Sequence, residues 1–241
     1  MKKSILLLAA IMCFSVTNAQ WWGGKKIKGN GNVTTETRNT GDYDGIKCAG
    51  SMDYILVAGT EGKITIEAES NLMEYITTEI KNNNLIIKVK KGYNLKPSFN
   101  KAFKVTIPFR DISSVSLAGS GDVWNEDTIK SNSLDVSLAG SGDMVLEVEA
   151  NTVEGSLAGS GDMTLKGNTN DLTVKLAGSG DIDAFGLQAN NTKASIAGSG
   201  DISVVSNKSL YARVSGSGDI EYKGNPDKED TKVSGSGTIS N

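Results

Sequence analysis

Six aspartates recur at near-constant spacing in the second half of the chain and are the residues best placed to act together chemically. Each follows a Gly-Ser-Gly triplet: Asp122, Asp143, Asp162, Asp181, Asp201 and Asp219. A fold that stacks these segments would line the carboxylates up about 5 Å apart, where like charges repel. A cation such as Ca²⁺, which prefers carboxylate and carbonyl oxygens, would relieve that repulsion. In the alternative interpretation each aspartate caps its own turn, and water and salt screen the charge.

Few other residues could support catalysis. The chain has no His, which removes the commonest general base and a common zinc ligand. After residue 40 its only arginines are Arg110 and Arg213. Some parallel β-helices are polysaccharide lyases or hydrolases, but a shared fold does not imply a shared activity. We therefore predict no catalytic residues and no cofactor, with Ca²⁺ as the one candidate bound ion.

The charge balance argues against a nucleic-acid partner. The chain has 25 Lys and Arg residues against 28 Asp and Glu residues, a formal net charge of −3. Nucleic-acid binders usually carry a basic run or stripe that neutralises phosphates, and no such run is evident along this sequence.

The Gly-Ser-Gly-Asp tetrapeptide is an internal repeat that accounts for the high glycine content. Seven copies, the last ending in Thr238, have first glycines 18 to 21 residues apart and contain 14 of the 28 glycines. Two glycines would allow positive φ at adjacent tight bends without a Cβ clash. The predicted corner glycines are Gly119, Gly121, Gly140, Gly142, Gly159, Gly161, Gly178, Gly180, Gly198, Gly200, Gly216, Gly218, Gly235 and Gly237.

Apolar and polar residues alternate on both sides of the tetrapeptide, which is typical of strands with one buried face. We predict an all-β fold, a right-handed parallel β-helix with coils of about 19 residues, because such a solenoid stacks equivalent residues. An antiparallel β meander or sandwich, with the tetrapeptide in hairpin loops, is the runner-up. The solenoid predicts two apolar columns: Leu117, Leu138, Leu157, Leu176, Ile196, Val214 and Val233 before the corner, and Val123, Met144, Met163, Ile182, Ile202, Ile220 and Ile239 after it.

The N-terminus has the layout of a secretory signal peptide. Lys2 and Lys3 precede an apolar run, and small residues precede a cleavage site after Ala19. The run is shorter than the roughly 20 residues that span a bilayer, so we expect no transmembrane segment in the mature chain. The predicted organisation is a signal peptide at 1–19, an N-terminal arm at 20–40 and a solenoid domain at 41–241. That domain divides into an irregular front half, 41–110, and the repeats, 111–241.

The front half contains short β patterns and motifs that resemble a known family. Residues 43–46 read Tyr-Asp-Gly-Ile, residues 49–53 form a degenerate copy of the repeat, and Asn71-Leu72 and residues 85–87 lead into the repeats. From residue 40 onward the chain is similar to exported bacterial proteins called putative autotransporter adhesins, or head GIN domain proteins. The resemblance implies a β-helical body in the periplasm or on the surface of a diderm bacterium, and it implies no catalytic residues. Whether residues 27–110 form solenoid coils or a β cap stays open.

These observations predict an exported, non-enzymatic binding protein of the cell envelope or surface. Its expected partner is an envelope or host-surface component such as a glycan. The alternative is a periplasmic or surface scaffold that forms a homo-oligomer through the unpaired edge of its last coil, residues 235–241. A polysaccharide-active enzyme is the third candidate.

Overall fold

The computed structural model describes residues 24–241. The predicted signal peptide lies outside these residues. Within them, no helix is long and apolar enough to cross a membrane.

The front half combines one solenoid coil, part of a second coil and an antiparallel cap. Its strands are β1 (Lys25–Lys28), β2 (Val33–Asn39), β3 (Gly45–Gly50), β4 (Asp53–Ala58), β5 (Lys63–Glu69), β6 (Ile76–Lys81), β7 (Asn84–Val89), β8 (Tyr93–Lys96) and β9 (Lys104–Phe109), with a 3₁₀ turn at Met73–Tyr75. Strands β3 and β4 pair in parallel with β7 and β9 on one side. Antiparallel pairs β2–β5, β5–β9 and β6–β7 then close the N-terminal end. Residues 27–110 are therefore both coil and cap.

The repeats continue this stack as a parallel β-solenoid. Their strands are β10 (Ser114–Gly119), β11 (Val123–Asn125), β12 (Ile129–Gly140), β13 (Met144–Gly159), β14 (Met163–Gly178), β15 (Ile182–Gly198), β16 (Ile202–Val205), β17 (Ser209–Gly216), β18 (Ile220–Lys223), β19 (Lys228–Gly235) and β20 (Ile239–Ser240). Strands β10 and β11 stack on β3 and β4, and each later coil stacks in parallel on the one before. The solenoid has about seven turns of about 19 residues. The prediction of a solenoid is confirmed, and the antiparallel runner-up is wrong.

Each coil contributes one strand segment to each of two sheets and bends at two corners. The strand segments before the tetrapeptide form what we call the pre-corner sheet, and those after it form the post-corner sheet. In β13, for example, residues 144–150 pair with 163–169 and residues 152–159 pair with 171–178, with a break in pairing at Asn151. We call the tetrapeptide bend the GSGD corner and the bend at this break the Asn corner.

The core lies between the two sheets, and both predicted apolar columns are confirmed in register. Leu138 pairs with Leu157, and Met144 pairs with Met163. These four side chains are buried, as are the equivalent residues of most other coils. The last coil differs, because β19 pairs only with β17 among the described strands and Val233 is 40% exposed.

Candidate functional site

Both glycines of the GSGD corner lie in close backbone contact with the coil before, but only the first also has a positive φ. Gly159 has a φ of +143°, a conformation that favours glycine, whereas Gly161 has no positive φ. At Gly161 the requirement is close backbone approach, because an added Cβ would lie 1.9 Å from the carbonyl oxygen of Gly142 in the coil before it. The same division recurs along the stack. The expectation of positive φ at both glycines is therefore wrong at the second one.

The six predicted aspartates form one exposed ladder along the GSGD corner. The Oδ1 atom of each carboxylate accepts a hydrogen bond from the backbone N–H of the equivalent residue one coil further on. Examples are Asp143 N to Asp122 Oδ1 at 2.9 Å and Asp181 N to Asp162 Oδ1 at 3.0 Å. At the ends of the ladder, Asp122 N donates to Asp53 and Thr238 N donates to Asp219. Each aspartate thus caps the corner of the next coil rather than its own, because stacking brings that amide within reach.

The half-buried residue Asp53 begins this ladder. Burial raises the pKa of the Asp53 carboxyl, the hydrogen bond from the amide of Asp122 opposes that effect, and the negative charge of Asp122 adds to it. The carboxylate of Asp53, at the start of the ladder, is therefore partly removed from water, which is unfavourable for its charged form. That placement fits a hydrogen-bonding role, since the first coil also needs an acceptor for the next amide.

Calcium binding by the aspartate row stays a prediction. Within residues 24–241 no group of three or more His, Cys, Asp or Glu side chains is arranged to hold a metal ion. Stacked carboxylates would therefore have to reorganise, or share an ion with backbone carbonyls. A rise in the unfolding midpoint with millimolar Ca²⁺ would support binding through ligand linkage.

The ladder predicts different stabilities for two variants at one position. Asp162→Ala removes the acceptor for the Asp181 amide, and we expect it to lower the free energy of unfolding by about 1 kcal/mol. Asp162→Asn keeps a carbonyl acceptor and removes one of the stacked charges, so its stability should equal or exceed that of the parent. Chemical denaturation followed by circular dichroism compares the three proteins. Equal losses in both variants would contradict a hydrogen-bonding role.

A second polar ladder follows the Asn corner. Asn190 Nδ2 donates to Asn170 Oδ1 at 3.0 Å, and Asn191 Nδ2 donates to Asp171 Oδ1 at 2.9 Å. Ser209 Oγ continues the second row by donating to Asn191. The recurrence of Asn at residues 151, 170 and 190 signals this ladder in the sequence, although a turn explains the same residues.

Glu69 is a fully buried carboxylate at the N-terminal end. It accepts hydrogen bonds from Ser98 N at 2.7 Å, from Ser98 Oγ at 2.6 Å and from Gly31 N. Burial raises the pKa of Glu69, but these hydrogen bonds and the positive charge of Lys101 outweigh burial and hold the pKa below its ordinary value. Glu69 therefore joins the loops that follow β1 and β8. No sequence pattern marks it, because a Glu that ends a strand usually faces solvent.

The outer face of the pre-corner sheet carries a shallow depression of about 410 Å³ near the C-terminal end. Its lining includes Thr173, Lys193, Tyr211 and Asp230. Tyr211 is 43% exposed, and the guanidinium carbon of Arg213 lies over one face of its ring, 3.8 Å from the ring centroid. Arg213 also forms an ion pair with Asp230 at 2.8 Å. The depression therefore offers an aromatic surface surrounded by donors and acceptors of both charges.

Comparisons with known proteins agree with this architecture. The family model described as "Putative auto-transporter adhesin, head GIN domain" matches residues 42–226. The crystal structure of a putative adhesin from Bacteroides fragilis is 27% identical, with a TM-score of 0.82, and the match covers 89% of this chain and 99% of that one. A putative lipid binding protein from Parabacteroides distasonis is 30% identical, with a TM-score of 0.75 and coverage of 90% and 99%.

A putative adhesin from Parabacteroides distasonis is 26% identical, with a TM-score of 0.72 and coverage of 90% and 99%. A search of functionally curated proteins gave no significant match. The family match begins just before Tyr43 and continues through the sixth GSGD corner, so it spans most of the described solenoid. The chain belongs to the family of putative auto-transporter adhesins with a head GIN domain.

Proposed function

We propose that this protein is a non-enzymatic binding protein of the cell envelope or surface that recognises a glycan on the outer face of its pre-corner sheet. The observation that carries the proposal is the depression around Tyr211. An exposed aromatic ring can stack on the apolar face of a sugar, while surrounding polar groups hydrogen-bond to its hydroxyls. Lys193, Thr173 and Asp230 in the lining supply such groups. Arg213 lies beside them, against the Tyr211 ring and paired with Asp230.

The scaffold suits binding by a pre-formed surface. The strands beneath the depression are held in continuous parallel register, from Thr173 and Lys193 to Tyr211 and Asp230. A rigid face loses little conformational entropy on binding, so modest contacts can give useful affinity. The names of the related structures, adhesins and a lipid binding protein, also fit a ligand from a cell envelope.

Self-association is the second candidate, since the free edge of β19 could pair with another chain. The side chains of this coil do not favour apolar stacking, however. Glu229 and Thr231 stand in register with the buried Leu210 and Ala212 of the coil before. Such polar residues at inward positions are typical of terminal repeats that keep a solenoid soluble.

The experiment is a binding screen of residues 24–241, which contain the whole described core, against an immobilised array of bacterial-envelope and mucin-type glycans. The parent and Tyr211→Ala/Arg213→Ala are compared on the best-binding glycan. We expect the double variant to bind at least tenfold more weakly, because it loses both the stacking surface and the charged donor. Glu221→Ala, an exposed change on the post-corner sheet, is the matched control.

Three results would contradict the proposal. Unchanged affinity in the double variant, with an unfolding midpoint equal to that of the parent, would move binding away from this face. A defined oligomer by light scattering, without affinity for any glycan on the array, would favour the scaffold. Release of reducing sugar from the bound glycan would indicate an enzyme instead.

A further inference from the structure

A small basic sheet lies at the N-terminal end, remote from the depression on the pre-corner sheet. Strands β1 and β8 pair in parallel and form a two-stranded sheet of their own. Ile27 and Leu95 pair with each other and pack against the core, while Lys26, Lys28 and Lys96 are exposed. The inner face of this sheet is therefore apolar, and its outer face presents lysines.

Lysines are concentrated at this end of the molecule, although the net charge of the whole chain is slightly negative. Residues 24–32 and 90–103 contain no Asp or Glu. They contain seven of the chain's 25 basic residues, which leaves 18 basic against 28 acidic residues elsewhere. One end of the molecule is thus strongly positive, and the rest is negative. The seven are Lys25, Lys26, Lys28, Lys90, Lys91, Lys96 and Lys101.

The fold does not neutralise these charges internally. Lys28 stands directly opposite Lys96 across the two strands, an arrangement of like charges that destabilises a sheet. Among the described residues none of the seven ammonium groups lies within 4.0 Å of a carboxylate oxygen, although Lys101 acts on Glu69 at longer range. Such a cluster is costly to the folded chain alone and favourable beside an anionic partner.

An exposed aromatic residue projects from the same end. Phe99 is 90% exposed and lies in a turn closed by a hydrogen bond from Lys101 N to Ser98 O at 3.2 Å. The base of this turn is held by the hydrogen bonds from Ser98 to buried Glu69. The turn is therefore anchored rather than loose, and it presents an apolar ring between Lys96 and Lys101.

We propose that this surface, the lysines of β1 and β8 with the Phe99 turn, docks on an anionic lipid bilayer. A bilayer offers anionic headgroups over an apolar layer, and lysines with a projecting aromatic ring match both parts. A linear polyanion would satisfy the lysines but offers no apolar layer for Phe99.

Vesicle co-sedimentation tests this proposal. The protein used is residues 24–241, because the apolar run near the N-terminus could bind lipid by itself. The probes are vesicles of phosphatidylglycerol and phosphatidylcholine at 3:7 and of phosphatidylcholine alone. We expect binding to the anionic vesicles only, weakening at least tenfold between 50 and 500 mM NaCl. Lys26→Glu/Lys28→Glu/Lys96→Glu should raise the half-saturating lipid concentration at least tenfold. Phe99→Ser should weaken binding severalfold and leave the salt dependence unchanged.

The matched control is Lys208→Glu/Lys228→Glu/Lys232→Glu, which changes the net charge equally with exposed residues toward the opposite end. It should bind as the parent does. If both triple variants lost vesicle binding equally, net charge alone would explain the binding, and the proposal would be overturned. Equal binding to both kinds of vesicle, or to neither, would also overturn it. Binding to dextran sulfate without binding to vesicles would assign the surface to an anionic polymer instead. Unfolding midpoints confirm that each variant is folded.

Discussion

Gly159→Ala is expected to lower the free energy of unfolding by about 3 kcal/mol or more, enough to prevent stable folding. The substitution puts a side chain at a φ of +143° and brings its Cβ within 2.1 Å of the carbonyl oxygen of Gly140. Both the backbone strain and the overlap are costly, and the neighbouring atom is backbone that cannot rotate away. Thermal unfolding by circular dichroism, together with the soluble yield, measures the loss.

Position within the stack gives this prediction its control. Gly235→Ala makes the same kind of overlap, with the carbonyl oxygen of Gly216 at 2.0 Å, but in the exposed last coil. That coil can detach locally, so the global midpoint should fall much less. Ser160→Ala changes an exposed side chain between two corner glycines and should have almost no effect. A similar loss for Gly159→Ala and Ser160→Ala would contradict the assigned role of the glycine.

Glu69→Ala should lower the free energy of unfolding by about 3 kcal/mol, because Gly31 N and both donors of Ser98 lose a buried acceptor. Glu67→Ala, on the same strand, is the matched control. Glu67 forms a partly exposed ion pair with Lys104 at 3.1 Å, and such pairs contribute less than about 1 kcal/mol. Indistinguishable unfolding midpoints for the two variants would rule out the proposed role of Glu69.

Glu69 also predicts how stability depends on pH. Its folded pKa is lower than the ordinary glutamate value of about 4.3, so its contribution is complete above that value and is lost as pH falls through the folded pKa. We expect the parent to lose more stability than Glu69→Gln as the pH is lowered from 5 to 3. Chemical denaturation at several pH values measures the two curves. Parallel curves would show that Glu69 is not the titrating group.

The solenoid was predictable because the same residue pattern is repeated in each coil. Equivalent residues such as Leu138 and Leu157 recur at the coil period, and stacking is the arrangement that gives recurrence a physical use. The degenerate corner at residues 49–53 follows from the same local pattern, since Gly50 pairs with Gly119 in the next coil. The role of the second corner glycine was not predictable, because a short backbone contact between coils leaves no mark that distinguishes it from a special φ.

The cap and the basic surface depend on pairings between distant segments. Strand β1 meets β8 more than sixty residues later in the sequence, and no shared motif announces the pair. The net charge of the whole chain is −3, so it does not reveal that lysines are concentrated in residues 25–28 and 90–101. Only the parallel pairing places Lys28 beside Lys96. Glu69 is hidden for the same reason, since its donors come from Gly31 and Ser98.

Because the aspartate ladder continues from coil to coil, the length of the solenoid along its axis can take only discrete values. Removing residues 144–162 would join Asp143 to Met163 and place Asp143 Oδ1 beside the amide of Asp181, so every column would close again one coil shorter. Removing a single residue within a strand would instead turn the side chains that follow it to the opposite face, up to the next corner. The height of the protein can therefore change only in increments of one coil, about 4.8 Å. Lineages that gain or lose repeats would adjust its reach in those units while keeping both ends intact.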